Sequence, residues 1–399
     1  MAKKTYYCYQ MPVMKKIILK YFLFSLLILI AGGDSFAQLV PTRPETDKAE
    51  ADIKNIMKEL DAVGLSVAVV KKGKIIYSNA FGLKDIATNT PLATNHLFRI
   101  ASISKSFSAT SIMQLIEAGK LSLDDDFGKL MGFTIRNPKF PQTVITLRMV
   151  MSHTSSINDS QGYFNLDVIN PDKGTNWAKC YNDYEPGTAY RYCNLNYNMV
   201  GTVIEKISGE RFDNYVNNHV LKPLKLYGGY CVDSLDANLF ATLYEYDSTK
   251  KHTPSPMAYN PRREEIKNYV MGYSTPIFSP TGGMKISAPG LAKYMMMHMK
   301  KGKYKGGRII SNKSAQLMQT KIASEGYGLA LTNSDKLIPG LMMTGHTGSA
   351  YGLYSIMFFN PKEKFGIVAI TNGCNPVFKD GFNLLLKTVA NSLYENFVK

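Results

Sequence analysis

The apolar positions of this chain change period along its length. Between Leu65 and Ala80, β-branched and aromatic residues gather into two runs on either side of Lys72-Gly73, which predicts a hairpin. From Ala101 to Ala118 the large apolar residues Ile103, Phe107, Ile112, Met113, Leu115 and Ile116 fall on most sides of a helical wheel. A helix apolar all round is a buried one. Ser104, Ser106, Ser108, Ala109 and Ser111 between them allow close neighbours, and Gly119 suits the left-handed residue that ends a helix.

From about residue 120 to 281 the texture changes. Asn, Asp, Pro, Gly and Tyr dominate, with short helical patches at Leu195–Ile207 and Phe212–Val220, and polar loops such as Asp247–Pro261. After Gly282-Gly283 a helical pattern returns through Leu291–Met299. Strand signals follow at Leu341–Ala350, Gly352–Phe359 and Phe365–Thr371, with Asn360-Pro-Lys-Glu363 as a turn, and a patterned helix closes the chain over Phe378–Phe397. Strands at both ends and helices in the middle predict an α+β domain over residues 45–399. Its sheet part comes from about 45–119 and 282–399, and about 120–281 is a mostly helical insert.

The first 37 residues read as a leader rather than as fold. Lys15, Lys16 and Lys20 form a basic stretch, Tyr21–Gly33 an apolar one, and Ser35-Phe-Ala37 offers small residues for cleavage before Gln38. The apolar run is shorter than the roughly 20 residues that span a bilayer, so no stable membrane span is expected after cleavage. The expected location is periplasmic or secreted. The whole chain carries +16; without the leader, 42 basic and 30 acidic residues leave +12. Such a balance favours anionic surfaces such as a cell envelope. With no long Lys/Arg cluster and no recognition motif, nucleic acid is not expected as a partner.

Cys180, Cys193, Cys231 and Cys374 follow the leader in a compartment that permits disulfides, and sequence cannot choose among their three pairings. They lack CxxC spacing, and the six histidines form no HxH or HExxH pattern, so neither a metal nor any other cofactor is expected.

The chemistry lies in three separated motifs. Ser102-Ile-Ser-Lys105 opens the buried helix, Tyr192-Cys-Asn194 follows a turn-like Glu185-Pro-Gly187, and His346-Thr-Gly348 lies in a strand. SxxK recurs at Ser248–Lys251, and YxN at Tyr77, Tyr163 and Tyr394. Ser248, however, sits in a polar stretch without helical pattern, and Tyr192 comes ninety residues after Ser102. A serine hydroxyl needs a base to become a nucleophile, and Lys105 lies one helical turn away. Burial would lower its pKa toward a free amine. Tyr192 is a second candidate base if nearby cations, Lys105 and a protonated His346, favour its phenolate. Asn194 would hydrogen-bond Lys105 or a substrate amide. No GxSxG elbow is present, which argues against an α/β-hydrolase.

Taken together with Phe98-Arg-Ile-Ala-Ser102, Met151-Ser-His-Thr-Ser155, Pro280-Thr-Gly-Gly283 and Gly345-His-Thr-Gly348, these motifs resemble the serine β-lactamase and penicillin-binding-protein superfamily. The class C β-lactamase-related branch, with its esterase and D-aminopeptidase relatives, is the nearest match over roughly residues 50–395. The resemblance implies an antiparallel sheet and an active site between sheet and insert. It also implies a catalytic Ser102, Lys105 and Tyr192, substrate contacts from Asn194, His346, Thr347, Gly348 and Ser349, and Ser349 N–H as second oxyanion donor beside that of Ser102. Gly348 would let a ligand approach the strand. Relatives often carry Lys where His346 stands, so weaker attraction for a substrate carboxylate is expected there. His153 falls in a stretch that resembles a structural loop rather than a triad. The expected activity is hydrolysis of a small ester, a D-amino-acid peptide of the wall or a β-lactam through an acyl-enzyme. The rival is a penicillin- or peptide-binding sensor that acylates without turnover.

Overall fold

The computed structural model describes residues 44–399 together with Met1; the expected leader, Met1 apart, and its expected cleavage site lie outside the described residues. The helix Pro44–Glu59 (α1) precedes strands Gly64–Lys71 (β1), Lys74–Asp85 (β2) and Thr90–Pro91 (β3). At the other end of the chain, Thr332–Ser334 (β4), Met343–Ala350 (β5), Leu353–Asn360 (β6) and Phe365–Gly373 (β7) precede the closing helix. All seven strands form one antiparallel sheet in the order β4-β5-β6-β7-β1-β2-β3. The first and last parts of the chain meet where β1 pairs with β7, with Val67 opposite Ala369. The fold is thus α+β.

The predicted β1–β2 hairpin turns at Lys72 and Gly73 with φ of 49° and 75°, the pair of positive φ values a two-residue hairpin turn requires. Strand alternation sorts side chains to two faces. Val67, Val69, Ile356, Phe358, Ile367 and Ala369 enter an outer core with Ile53 and Met57 of α1 and with the closing helix. Ala68, Val70, Met357, Phe359, Val368 and Ile370 face the larger core shared with the helical part.

That part is organised by Ser104–Glu117 (α2), Asn194–Ser208 (α3) and Ala288–Met299 (α4); the closing helix, Leu384–Phe397, is α5. Ser104–Ser106, Ser108–Met113 and Leu115 of α2 are all buried, as a helix apolar or small on every side demands.

Several expectations are corrected. The helix over Ala101–Ala118 begins as a 3₁₀ turn, Ala101–Ile103. Phe212–Val220 is an α-helix only to Val216, followed by a π turn to Leu221. The loop Asp247–Pro261 contributes a strand, His252–Pro254, to a small hairpin with Tyr244–Tyr246, three-residue strands too short to show a period. Phe378–Asn383 forms a hairpin, Phe378 opposite Asn383, before α5 begins; Asp380 and Gly381, with φ of 54° and 83°, make its turn. Cys180, Cys193, Cys231 and Cys374 are all buried and unpaired. Helix α1, absent from the sequence reading, had a legible signal in Ala49, Ile53 and Met57 at every fourth position.

Candidate active site

The 3₁₀ turn before α2 decides how Ser102 and Lys105 meet. In a 3₁₀ helix the side chains at i and i+3 eclipse, and Lys105 Nζ lies 3.1 Å from Ser102 Oγ. Ala101, just before the serine, is held at φ 46°, a left-handed conformation costly for a residue with a Cβ.

Lys105 is wholly buried. Its Nζ also donates to Asn194 Oδ1 at 3.0 Å and to Thr281 O at 2.9 Å. These are neutral oxygens, so desolvation of the ammonium prevails and the pKa falls to about 7, although the charge of Asp159 opposes the fall. Near neutrality a large share of Lys105 is therefore a free amine.

Asn194 opens α3, and Asp159 caps that helix. Asp159 Oδ2 accepts from Asn194 N at 2.8 Å and Asn194 Nδ2 at 3.0 Å, and its Oδ1 from Leu195 N at 2.9 Å. With Nδ2 on Asp159 and Oδ1 on Lys105 and Thr281 Oγ1 (2.9 Å), Asn194 is committed to positioning Lys105. One of its two amide hydrogens goes to Asp159, and the residue also lines the cleft.

Tyr192 presents its ring to Lys105, whose Nζ lies 4.7 Å from the ring centroid. Burial pushes the phenol pKa up, and only its proximity to the Ser102 hydroxyl opposes this. The hydroxyl makes no hydrogen bond of full geometry. Of the two candidate bases, Lys105 has the affinity of a base at neutral pH and Tyr192 that of a proton donor.

His346 corrects a further expectation. It is 5% exposed, and burial together with the Lys105 charge lowers its pKa to about 4. It is neutral at pH 7 and cannot favour a Tyr192 phenolate. Nδ1 lies 2.5 Å from Thr347 O, so it carries the proton; Nε2 lies 3.2 Å from Tyr327 Oη and accepts from it. No N–H of the ring remains for a substrate.

Gly348 also has a packing reason within the protein itself. A Cβ there would stand 2.3 Å from Ile100 O, 2.4 Å from Ser355 Oγ and 3.2 Å from Ala101 Cβ. The glycine lets the serine's own turn dock on β5. Ser355 Oγ donates to Ile100 O at 3.0 Å and fastens the same turn to β6.

His153 takes part from below. Its Nδ1 accepts from Cys193 N at 3.3 Å, and its ring lies 4.5 Å from that of Tyr192. Burial holds it neutral. It supports the Tyr192–Asn194 segment and makes no hydrogen bond to Ser102.

Ser102, Tyr192, Asn194, His346, Thr347 and Ser349 line one cleft of about 630 Å³ together with Arg99, Tyr163, Phe164, Glu245 and Tyr351. Of the alternative motifs, Ser248–Lys251 sits in the exposed turn of the small hairpin, where Asp247 N bonds Lys251 O, and Tyr77 bonds Glu50. Sequence reasoning missed Asp159, Thr281, Tyr327 and Arg99. Thr281 lies within the noted Pro280–Gly283 stretch and Arg99 within Phe98–Ser102; Asp159 and Tyr327 carry no local signal. Among the described residues no cluster of His, Cys, Asp and Glu could hold a metal, and no helix is long and apolar enough to cross a membrane.

Comparisons with known proteins agree with this architecture. Residues 49–390 match the Beta-lactamase family model. Penicillin-binding protein 4 of Amycolatopsis lactamdurans is 26% identical over 347 residues, covering 82% of this chain and 86% of that one. Protein flp of Staphylococcus aureus (strain N315) is 24% identical over 331 residues, 77% of this chain but only 59% of the relative's length. The octameric penicillin-binding protein homologue from Pyrococcus abyssi superposes with a TM-score of 0.69 at 24% identity, over 88% of this chain and 77% of that one. An antiparallel sheet joined from both ends of the chain and a match over residues 49–390 establish that this chain belongs to the beta-lactamase family.

Proposed function

We propose that the protein is an exported serine hydrolase that forms an acyl-enzyme on Ser102 and hydrolyses an amide or an ester. The candidate substrates are a small ester, a D-amino-acid peptide or a β-lactam. The observation that carries this reading is the buried Lys105 amine 3.1 Å from Ser102 Oγ, with its pKa lowered to about 7. In the first step Lys105 takes the Ser102 proton, Oγ bonds the carbonyl carbon, and the carbonyl π pair moves onto oxygen. The N–H groups of Ser102 and Ser349 are the donors proposed for that oxyanion. Collapse expels the alcohol or amine, which takes a proton passed from Lys105 through the Tyr192 hydroxyl. Water then attacks the ester, and the same groups work in reverse order.

A fluorophosphonate, which traps an activated serine, tests the site by intact mass and peptide mapping. One adduct on Ser102, lost in Ser102→Ala, is expected; an adduct on Ser248 or none would overturn the assignment. Steady turnover of an ester or D-peptide separates the hydrolase from a sensor that acylates once. Residues 1–37 are proposed to be a signal removed before Gln38, delivering the protein to the periplasm or beyond.

A further inference from the structure

The buried charges among the described residues are either paired or fully hydrogen-bonded, or can be shed, and one residue fits neither group. Asp213 pairs with Arg211 at 2.6 Å, and Lys387 with Asp380 at 2.6 Å. Glu205 accepts from Phe212 N, Gly272 N and Thr275 Oγ1. Lys105 and Lys285 meet only neutral oxygens, but an amine can shed its proton; Lys285, donating to Tyr230 O at 2.7 Å, is driven well down by burial. Arg99 is 7% exposed, and a guanidinium stays charged in proteins. Among the described residues it has no carboxylate within ion-pair distance. Arg262 adds a charge of its own sign, and Glu245, which lines the same cleft, makes no ion pair with it.

Arg99 is nevertheless firmly held. Nε donates to Gly282 O at 2.8 Å and Nη2 to Ser279 Oγ at 3.3 Å. The Tyr351 ring lies against the guanidinium, 4.9 Å from its carbon to the centroid. Among the described residues Nη1 makes no hydrogen bond, and Arg99 forms part of the wall of the cleft that holds Ser102. Buried charges are normally paired, because desolvation without a partner is expensive. A firmly held guanidinium in the cleft wall, with one nitrogen unused, therefore lacks a counter-ion that a ligand in the cleft could supply. His346 offers no N–H, so the strand position where relatives often carry a lysine cannot supply the positive charge.

We propose that Arg99 binds a carboxylate of the substrate, so that the preferred acyl donor is anionic at a point away from the scissile bond. This rests on the serine-hydrolase reading of the same cleft. The carboxylate could belong to the acyl part or to the leaving group, and two substrate pairs separate these sources. One pair is a chromogenic glutarate half-ester and its methyl ester; the other is an N-acyl depsipeptide ending in free lactate and its amide.

In the wild type at low salt, one pair should show kcat/KM at least about tenfold higher for the anion, the scale of a charge-assisted hydrogen bond. The ratio should shrink with added salt. Arg99→Gln should bring it near one, and Arg99→Lys should restore part of it. Preference within the first pair puts the carboxylate on the acyl side, and within the second on the leaving-group side. A ratio of one or less in both pairs of the wild type overturns the proposal even if the variants do not fold. Calorimetric binding of glutarate and of N-acetyl-D-alanine to Ser102→Ala keeps the two readings apart. Binding without any wild-type turnover leaves Arg99 as the anchor and removes the hydrolase. Turnover with neither binding nor preference does the reverse.

Discussion

At the scale of residues, the site works by pushing two affinities apart. Burial lowers Lys105 to about 7 and raises Tyr192, so one group accepts a proton at neutral pH and the other keeps its own. The sign of the pH effect follows. Protonated Lys105 has no lone pair, so acylation should be slow below pH 7 and should rise as pH passes through about 7. It should level off above that value. The measurement is kcat/KM for a neutral ester from pH 5 to 9. A flat profile, or one that rises only toward the phenol range, would remove Lys105 as the base. The same shift makes folding stability rise with pH between about 7 and the ordinary lysine value of 10.5, because the unfolded chain holds the proton longer.

At the scale of elements, the site depends on how closely a turn docks on a strand. Gly348 on β5 has no room for a Cβ, since the backbone oxygen of Ile100 would lie 2.3 Å away. Gly348→Ala must therefore move either β5 or the turn that carries Ser102. Overpacking of this kind costs about 1–3 kcal/mol, and a shift near 1 Å at a reacting group can cost about a hundredfold in rate. We expect fluorophosphonate labelling of Ser102 to fall more steeply than the melting temperature. A variant that labels at the wild-type rate with an unchanged melting temperature would mean the contact relaxes without consequence.

At the scale of the whole molecule, two outcomes can be checked directly. The four cysteines of residues 44–399 are buried and unpaired, and burial raises Cys180 to about 11 and Cys374 to about 12. Thiolate is the reactive form, so these thiols should survive an oxidising compartment. Titration of the denatured, non-reduced protein should find all four, and the native protein should react slowly; a mass change on reduction would show a disulfide instead. The second outcome concerns export: N-terminal sequencing of protein from a producing bacterium should begin at Gln38, in the periplasmic or extracellular fraction. A membrane-bound product retaining residues 15–37 would contradict the leader.

The sequence determined what is local or periodic. The hairpin turn at Lys72-Gly73, the strands of β5 to β7 and the buried character of α2 all follow from alternation, wheel position and turn chemistry over a few residues. Ser102 and Lys105 were legible because they lie three apart on one turn, and Tyr192, Asn194 and His346 because their motifs occur in a recognisable order. Only the tertiary structure decided matters of environment. It showed that Gly348 serves the protein's own backbone, that His346 is neutral with both nitrogens occupied, and that Asn194 is committed to Lys105. It brought Asp159 onto the start of α3 and left Arg99 without an ion pair among the described residues. The physical reason is common to most of these. Burial and close approach are set mostly by groups distant along the chain, such as Gly348 and Ile100 or Asp159 and Asn194, which no short window of sequence holds together.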